Sequence, residues 1–111
     1  MAFQTFTATK LAQAAITTSA VTIYTVPAST RSMVKSIIIA NTTGSAVNVT
    51  VNLVPSGGSA GTGNQIIPAV ALSGNSVFQL DTAQVMNAGD FISVIAGATG
   101  CTITISGAEA T

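Results

Sequence analysis

The sequence contains very few reactive side chains. Its 111 residues include no histidine, one cysteine and three acidic residues. General acid–base pairs, Ser–His–Asp triads and Cys–His pairs are built from these residue types, so the chain lacks the parts for them. We therefore expect that the protein is not an enzyme and that it uses no cofactor, metal or small-molecule substrate.

Charge is scarce and balanced. Three basic and three acidic residues give a formal net charge of zero. No basic surface is available for nucleic acid or for an anionic membrane. A protein with so little charge tends to associate, because net charge normally keeps soluble proteins apart. We expect a homo-oligomer or a component of a larger assembly, with contacts made through shape and apolar groups.

Long apolar runs are also missing. Apolar residues make up 48% of the chain, but they come in short runs between Thr, Ser, Asn and Gly. A membrane helix needs about 20 consecutive apolar residues, and a secretory signal needs an apolar core of about 7–15. We therefore expect no membrane span and synthesis in a cytoplasm. Cys101 cannot form an internal disulfide, and its alternation with Ile103 and Ile105 predicts a buried thiol.

Residues 36–55 give the clearest pattern of secondary structure. Their second half alternates between apolar Val47, Val49, Val51 and Leu53 and polar residues, which predicts a half-buried strand. The three consecutive isoleucines at 37–39 predict a strand covered on both faces. Residues 41–45 have the composition of a turn. We predict a β-hairpin in the middle of a sheet.

Other segments extend the strand pattern along the chain. The additional predicted strands are residues 11–17, 21–26, 76–80, 85–86, 91–95 and 101–105. Together with the hairpin they give about eight short strands, spaced as in an antiparallel sandwich or barrel. We predict an all-β fold, an antiparallel two-sheet β-sandwich of jelly-roll type. Arg31 and Lys35 are interpreted as exposed charges on a strand edge that discourage stray pairing.

The N-terminal ten residues have two interpretations. Residues 1–10 place two phenylalanines among small polar residues, ahead of a sandwich domain at 11–111. They form either the first edge strand or an arm that docks on a neighbouring subunit. In the second case the contact residues are Phe3, Phe6, Lys10 and Leu11.

A glycine-rich stretch at residues 56–63 predicts a flexible surface loop. It is not a phosphate-binding loop, because no Gly-Lys-Ser/Thr follows and Pro68 interrupts any helix behind it. Its glycines permit close approach of a partner, which makes Gly57, Gly58, Gly61 and Gly63 further interface candidates. Asp81 and Asp90 are interpreted as solvated loop acids; a calcium site is the alternative, although the ligand spacing of a dedicated site is missing.

Several short motifs resemble a pattern that recurs in small structural proteins of tailed bacteriophages. The resemblance extends from Leu11 to Glu109, and Ser29 departs from it where such sequences more often have glycine. The motifs are Tyr24-Thr-Val-Pro-Ala-Ser-Thr-Arg31, Val34-Lys-Ser-Ile37, Asn41-Thr, Val47-x-Val-x-Val51, Leu53-Val-Pro-Ser-Gly-Gly58, Asn87-Ala-Gly-Asp90 and Ile105-Ser-Gly-Ala-Glu109.

The resemblance implies a β-sandwich virion protein made in the host cytoplasm. Its implied role is that of a capsid decoration (cement) protein, which binds the major capsid protein or other virion subunits and stabilises the head shell. The alternative is a receptor- or carbohydrate-binding module of a tail fibre or baseplate. That role needs exposed aromatic rings to stack on sugars, and the chain has no tryptophan and one tyrosine.

Overall fold

The fold is described from a computed structural model, which covers residues 6–110 and their side chains from residue 7 onward. A short 3₁₀ helix, Thr62–Asn64, precedes the fifth strand. Within residues 6–110 no helix is long and apolar enough to cross a membrane. The strands are β1 Phe6–Ile16, β2 Val21–Thr25, β3 Arg31–Asn41, β4 Val47–Val54, β5 Gln65–Leu72, β6 Ser76–Met86, β7 Phe91–Ala96 and β8 Cys101–Ala110.

The strands form two four-stranded antiparallel sheets. Sheet A has the order β1-β8-β3-β6, and sheet B has the order β2-β7-β4-β5. Consecutive strands alternate between the sheets except β4 and β5, which are neighbours in sheet B. This arrangement is the eight-stranded jelly roll, in which two sheets pack through their inner faces. The predicted fold class is confirmed.

The core lies between the two sheets and consists of aliphatic side chains. In β4, Val47, Val49 and Val51 are all buried, which confirms the predicted register of that strand. In β8, Cys101 is 1% exposed and the two isoleucines that follow it in alternation are fully buried. Burial raises the pKa of the Cys101 thiol, because the thiolate would lose its hydration.

The predicted central hairpin is wrong. Both strands exist, but β3 belongs to sheet A and β4 to sheet B, so they do not pair. The turn carries the chain across the sandwich because the buried amide of Asn41 holds it there. Its Nδ2 donates to the carbonyl oxygens of Ser45 at 2.8 Å and Leu72 at 3.0 Å, and its Oδ1 accepts from the Thr43 amide at 3.0 Å.

The position of β3 corrects two further predictions. Ile38 is 39% exposed, because no element within residues 6–110 covers the outer face of sheet A and only Ile37 and Ile39 point inward. Arg31 and Lys35 are exposed, but β3 is an interior strand between β8 and β6. They therefore do not protect a sheet edge.

The strand count was predicted, but one strand was missed and another was divided. The prediction omitted β5, which contains Pro68, and split β6 into two pieces. Proline is compatible with β5 because that strand is at the edge of sheet B, where one row of N–H groups has no ladder partner. Ala69 has φ 39°, and its amide donates to Thr50 Oγ1 at 3.1 Å.

A line of register shifts crosses sheet A. The pairing of β1 with β8 shifts between Lys10 and Ala12, and the pairing of β3 with both of its neighbours shifts between Val34 and Ser36. Such bulges bend the strands and increase their local twist. Gly107 of β8 lies beside this line, where a side chain would collide with the carbonyl oxygen of Met33.

Candidate interaction surfaces

The two edges of sheet A are the longest exposed strand edges in the described part of the chain. They are formed by β1 and β6, each of 11 residues. Two large apolar side chains of β6 point to solvent, since Val77 is 63% and Val85 is 59% exposed. An exposed edge with apolar side chains is a template for pairing with another strand.

Each edge of sheet A carries one charged residue. Lys10 on β1 donates from Nζ to the Gln13 side-chain oxygen at 2.8 Å. Asp81 on β6 accepts a long contact of 3.4 Å from the Gln79 amide. Among the contacts found within residues 6–110, both charges therefore meet only neutral amides.

The glycine-rich loop after β4 lies over the outer face of sheet B. Asn52 points outward in the strand alternation but is 5% exposed, because the loop covers it. Its Nδ2 donates to Gly61 O at 2.8 Å and to Asn64 Oδ1 at 2.6 Å, and Asn64 in turn donates to Ser59 O at 2.9 Å. Asp90 accepts from the Ser56 amide at 2.9 Å. The loop is thus held by hydrogen bonds, in contrast to the flexible connection predicted.

A cleft of about 380 Å³ opens on the side of the sandwich where β5 and β6 form the two sheet edges. Its lining is mixed and contains one acid, Asp90, whose two carboxylate oxygens accept from the Ser56 and Asn87 amides. The lining residues are Leu53, Val54, Pro55, Gly63, Asn64, Gln65, Ile66, Gln84, Val85, Met86 and Asp90.

A polar cluster connects the two sheets at one end of the sandwich. Tyr24 of β2 donates its hydroxyl hydrogen to Glu109 Oε2 of β8 at 2.5 Å, and its hydroxyl oxygen lies 2.6 Å from Ser32 Oγ of β3. Burial, reinforced by the hydrogen bond and negative charge of Glu109, raises the pKa of Tyr24 to about 12. The phenol therefore stays neutral and acts as a link between the sheets.

The predicted interface residues at the N-terminus lie in different environments. Phe3 falls outside the described residues, and the backbone of Phe6 pairs with Ala110 at the start of β1. Lys10 is exposed on the β1 edge, whereas Leu11 is 7% exposed and belongs to the core of its own subunit. The structure thus presents Lys10 but not Leu11 to a neighbour.

The predicted interface glycines lie together on one surface. They are all exposed, and Gly57 has φ 79°, a conformation that favours glycine. Gly61 accepts the hydrogen bond from Asn52, and Gly63 lines the cleft. Gly58 donates its amide hydrogen to Pro55 O at 2.9 Å. The loop therefore presents main chain to solvent from a fixed position.

Neither predicted acid takes part in a cluster of metal ligands. Asp81 lies in β6 and Asp90 in the turn before β7. Within residues 6–110 no group of three or more His, Cys, Asp or Glu side chains is placed to hold a metal ion.

Sequence reasoning missed the β6 edge. The signal was present in the predicted strand at residues 76–80, where Phe78 and Leu80 pack against the core. Alternation then places Val77 and Asp81 outward. The significance of that face depended on β6 being an edge strand, which local pattern does not reveal.

The fold is shared with chains from two kinds of assembly. A chain from Bacillus endospore appendages, described as a novel family of disulfide-linked pili, superposes with a TM-score of 0.56 at 18% identity, over 96% of this chain and 88% of that one. A chain of infectious bursal disease virus, strain Gx, superposes with a TM-score of 0.54 at 10% identity, over 96% of this chain and 32% of that one. The protein thus spans about a third of the viral chain. At identities this low, the superpositions show a common fold and nothing further.

No protein-family model matches the sequence, and the search of curated proteins found no match.

Proposed function

We propose that the protein is a structural subunit of a virus particle, and specifically a capsid decoration protein that binds the assembled head shell and stabilises it. The resemblance to structural proteins of tailed phages supports this role. The jelly-roll fold, which the chain shares with one from a virus particle, is compatible with it. The protein acts through surface contacts and performs no chemical reaction.

The observation that carries the proposal is the contrast between the exposed apolar edge and the internal use of acidic groups. Val77 and Val85 are exposed on the long edge strand β6. Asp90 and Glu109, in contrast, are hydrogen-bonded within the fold, to loop amides and to Tyr24. Surface chemistry of this kind suits lasting contact with other protein chains.

A place in a tail fibre or baseplate is the second candidate. Sugar recognition there would need an aromatic ring open to solvent. The aromatic side chains described are Tyr24, Phe78 and Phe91, and each is partly buried. Tyr24 also has its hydroxyl engaged with Glu109 and Ser32. This arrangement favours the shell over the carbohydrate-binding role.

The test uses virions made with and without the protein. We expect hundreds of copies per particle, and we expect particles lacking the protein to assemble but to rupture at a lower temperature. Adding purified protein should restore the rupture temperature, because a ligand that binds only the assembled state stabilises that state. A copy number of a few dozen or fewer, or an unchanged rupture temperature, would refute the decoration role.

The N-terminal segment is the proposed attachment site, and a point variant tests it. Phe3→Ser should weaken binding to particles about ten- to a hundredfold, the effect expected for losing one buried phenylalanine. Gln4→Ala, a change of similar size in the same segment, is the matched control. Equal binding of the two variants would move the attachment site elsewhere, with Gly57 to Gly63 the next candidate.

A further inference from the structure

The two edges of sheet A are in matching register on the outer face. Lys10 of β1 lies opposite Ser106 of β8. Ser106 lies opposite Ser36 of β3, and Ser36 lies opposite Asp81 of β6. Lys10 and Asp81 are therefore the two ends of a single row across the sheet. A second copy beside the first, in the same orientation, would bring its Lys10 opposite Asp81.

Three more rows on this face end in compatible residues. Every one of these end residues is exposed. Two of these rows begin with an alanine on β1 and end with an exposed valine on β6. The third row has a glutamine at each end. The row ends are Ala8 with Val85, Gln13 with Gln79, and Ala15 with Val77. Each valine of one copy would thus meet a small side chain of the next, with the charged pair between them.

The strand directions also match. Each neighbouring pair in sheet A is antiparallel, so β1 and β6 run in opposite directions and would form an antiparallel pair between copies. The register shifts lie on opposite sides of the charged row: β1 has an extra residue relative to β8 between Lys10 and Ala12, whereas β6 has an extra residue relative to β3 between Asp81 and Gln84. The pair between copies therefore contains a bulge on each side of the charged row.

Pairing of β6 with itself is disfavoured. Asp81 is the middle residue of β6, which spans Ser76–Met86. In a full-length antiparallel pair of two β6 strands, Asp81 would therefore lie opposite Asp81. Like charges directly opposite each other destabilise a sheet. The exposed edge of β6 therefore pairs more favourably with β1 of a neighbouring copy than with a second β6.

We propose that sheet A continues from one copy to the next, with β6 of one copy paired antiparallel to β1 of its neighbour and Lys10 opposite Asp81. Main-chain hydrogen bonds hold the copies together, and the four rows fix the register. The contact joins different surfaces of the two copies, so association does not end at a dimer. This contact deepens the structural role proposed above and rests on it.

Cysteine pairs test the register directly. In one chain β1 and β6 are three strand spacings apart, about 14 Å, whereas a disulfide needs Cα atoms within about 7 Å. A15C/V77C should therefore cross-link only between copies and give a ladder of dimers, trimers and longer species on a non-reducing gel. A8C/V77C joins the ends of different rows and should give no ladder; the wild type, whose Cys101 is buried, is the background control.

Three outcomes of that experiment would overturn the proposal. They are no ladder from A15C/V77C, equal ladders from both variants, and a product that stops at the dimer.

Charge reversal tests the central pair. K10E and D81K should each weaken self-association about tenfold, since an attraction becomes a repulsion across the interface. K10E/D81K should recover most of the loss, and the single-variant defects should shrink in 1 M salt, where the Debye length is about 3 Å. K35E, an exposed charge on the interior strand β3, is the control. Sedimentation equilibrium measures association, and circular dichroism confirms folding.

The proposal fails if the single variants associate like the wild type, if the double variant does not recover, or if the wild type is monomeric at every concentration. These measurements use the purified protein without other virion components. Their failure would reject the contact between copies and leave the particle-binding results unaffected. Failure of particle binding with intact self-association would instead reject the decoration role.

Discussion

At the scale of single residues, the phage-like motif departs from its usual pattern at Ser29. The backbone conformation there explains why glycine is the more common residue at this position. Ser29 has φ 56°, in the left-handed region that costs an L-residue about 1–2 kcal/mol. Ser29→Gly should raise the free energy of unfolding by about 0.5–1 kcal/mol, after subtracting the greater flexibility of glycine in the unfolded chain. Ser19→Gly, at an exposed turn position without positive φ, should lower it slightly. Urea denaturation of both variants measures the difference, and a loss of stability in Ser29→Gly would contradict the assigned turn.

Tyr24 gives the fold a pH dependence in the alkaline range. Because folding raises the pKa of Tyr24 from 10.0 to about 12, the folded state retains a proton that the unfolded state has released. The free energy of unfolding should therefore fall as pH rises from about 10 to 12. In Tyr24→Phe that part of the fall should be absent.

The tyrosine titration can be followed directly. Tyr24 is the only tyrosine and the chain has no tryptophan, so ultraviolet absorbance reports this phenol alone. Glu109→Gln should lower the pKa, since it removes the negative charge, while the contribution of burial remains. Titration of the wild type at the ordinary value for tyrosine would contradict the link between the sheets.

At the scale of strands, the bulge line of sheet A depends on a glycine. A side chain at position 107 would collide with the main-chain oxygen of Met33 in the adjacent strand. Gly107→Ala should lower the free energy of unfolding by about 3 kcal/mol, at the upper end of overpacking effects. Gly63→Ala is the control, because nothing lies within 4 Å of the added carbon. Equal thermal denaturation midpoints for the two variants would mean that the β8–β3 contact is looser than described.

Residue alternation predicted individual strands but not their partners. The valines of β4 and the Cys101 face of β8 were assigned correctly, because a half-buried strand shows a period of two in its sequence. The β3–β4 turn was misassigned because its residues specify a change of direction but not the sheet that receives the next strand. The buried amide of Asn41 donates to the carbonyl oxygens of Ser45, before β4, and of Leu72, at the end of β5, and the second of these contacts, distant in sequence, decides that question.

The same limit applies to the candidate interface. Lys10 was identified from the sequence, as a member of the N-terminal segment, but its counterpart Asp81 was interpreted as a loop acid. Their relationship appears only when four strands are placed side by side. The omission of β5 had a local cause, since Pro68 disfavours a strand until the strand is known to be at an edge.

At the scale of the whole molecule, a chain without net charge has few ways to control its association. Six charged residues leave little general repulsion between copies. Specificity must then come from where the charges lie. One opposite charge at each edge of sheet A favours contact between unlike edges and opposes contact between like β6 edges. The sparse charges thereby direct the apolar edges to one arrangement.

This arrangement makes a prediction for mixtures of variants. K10E alone places two acids opposite each other in the contact, and D81K alone places two lysines opposite each other, so each should associate weakly. In an equimolar mixture both possible contacts become complementary: the native Asp81 of the first variant meets the native Lys10 of the second, and the two introduced charges also have opposite signs. The mixture should therefore form species longer than dimers, with the variants alternating.

Native mass spectrometry with one variant isotopically labelled would measure the alternation. A contact between identical β6 edges would also pair the two variants, through Asp81 of one and the introduced lysine of the other, but it would stop at the dimer. In a mixture with K35E, which keeps both native edges because Lys35 lies on an interior strand, each variant should join only through its one native edge and should therefore end the chains. Absence of long species in the first mixture, or unlimited growth with either variant inside the chains in the mixtures with K35E, would show that the two edges of sheet A do not meet.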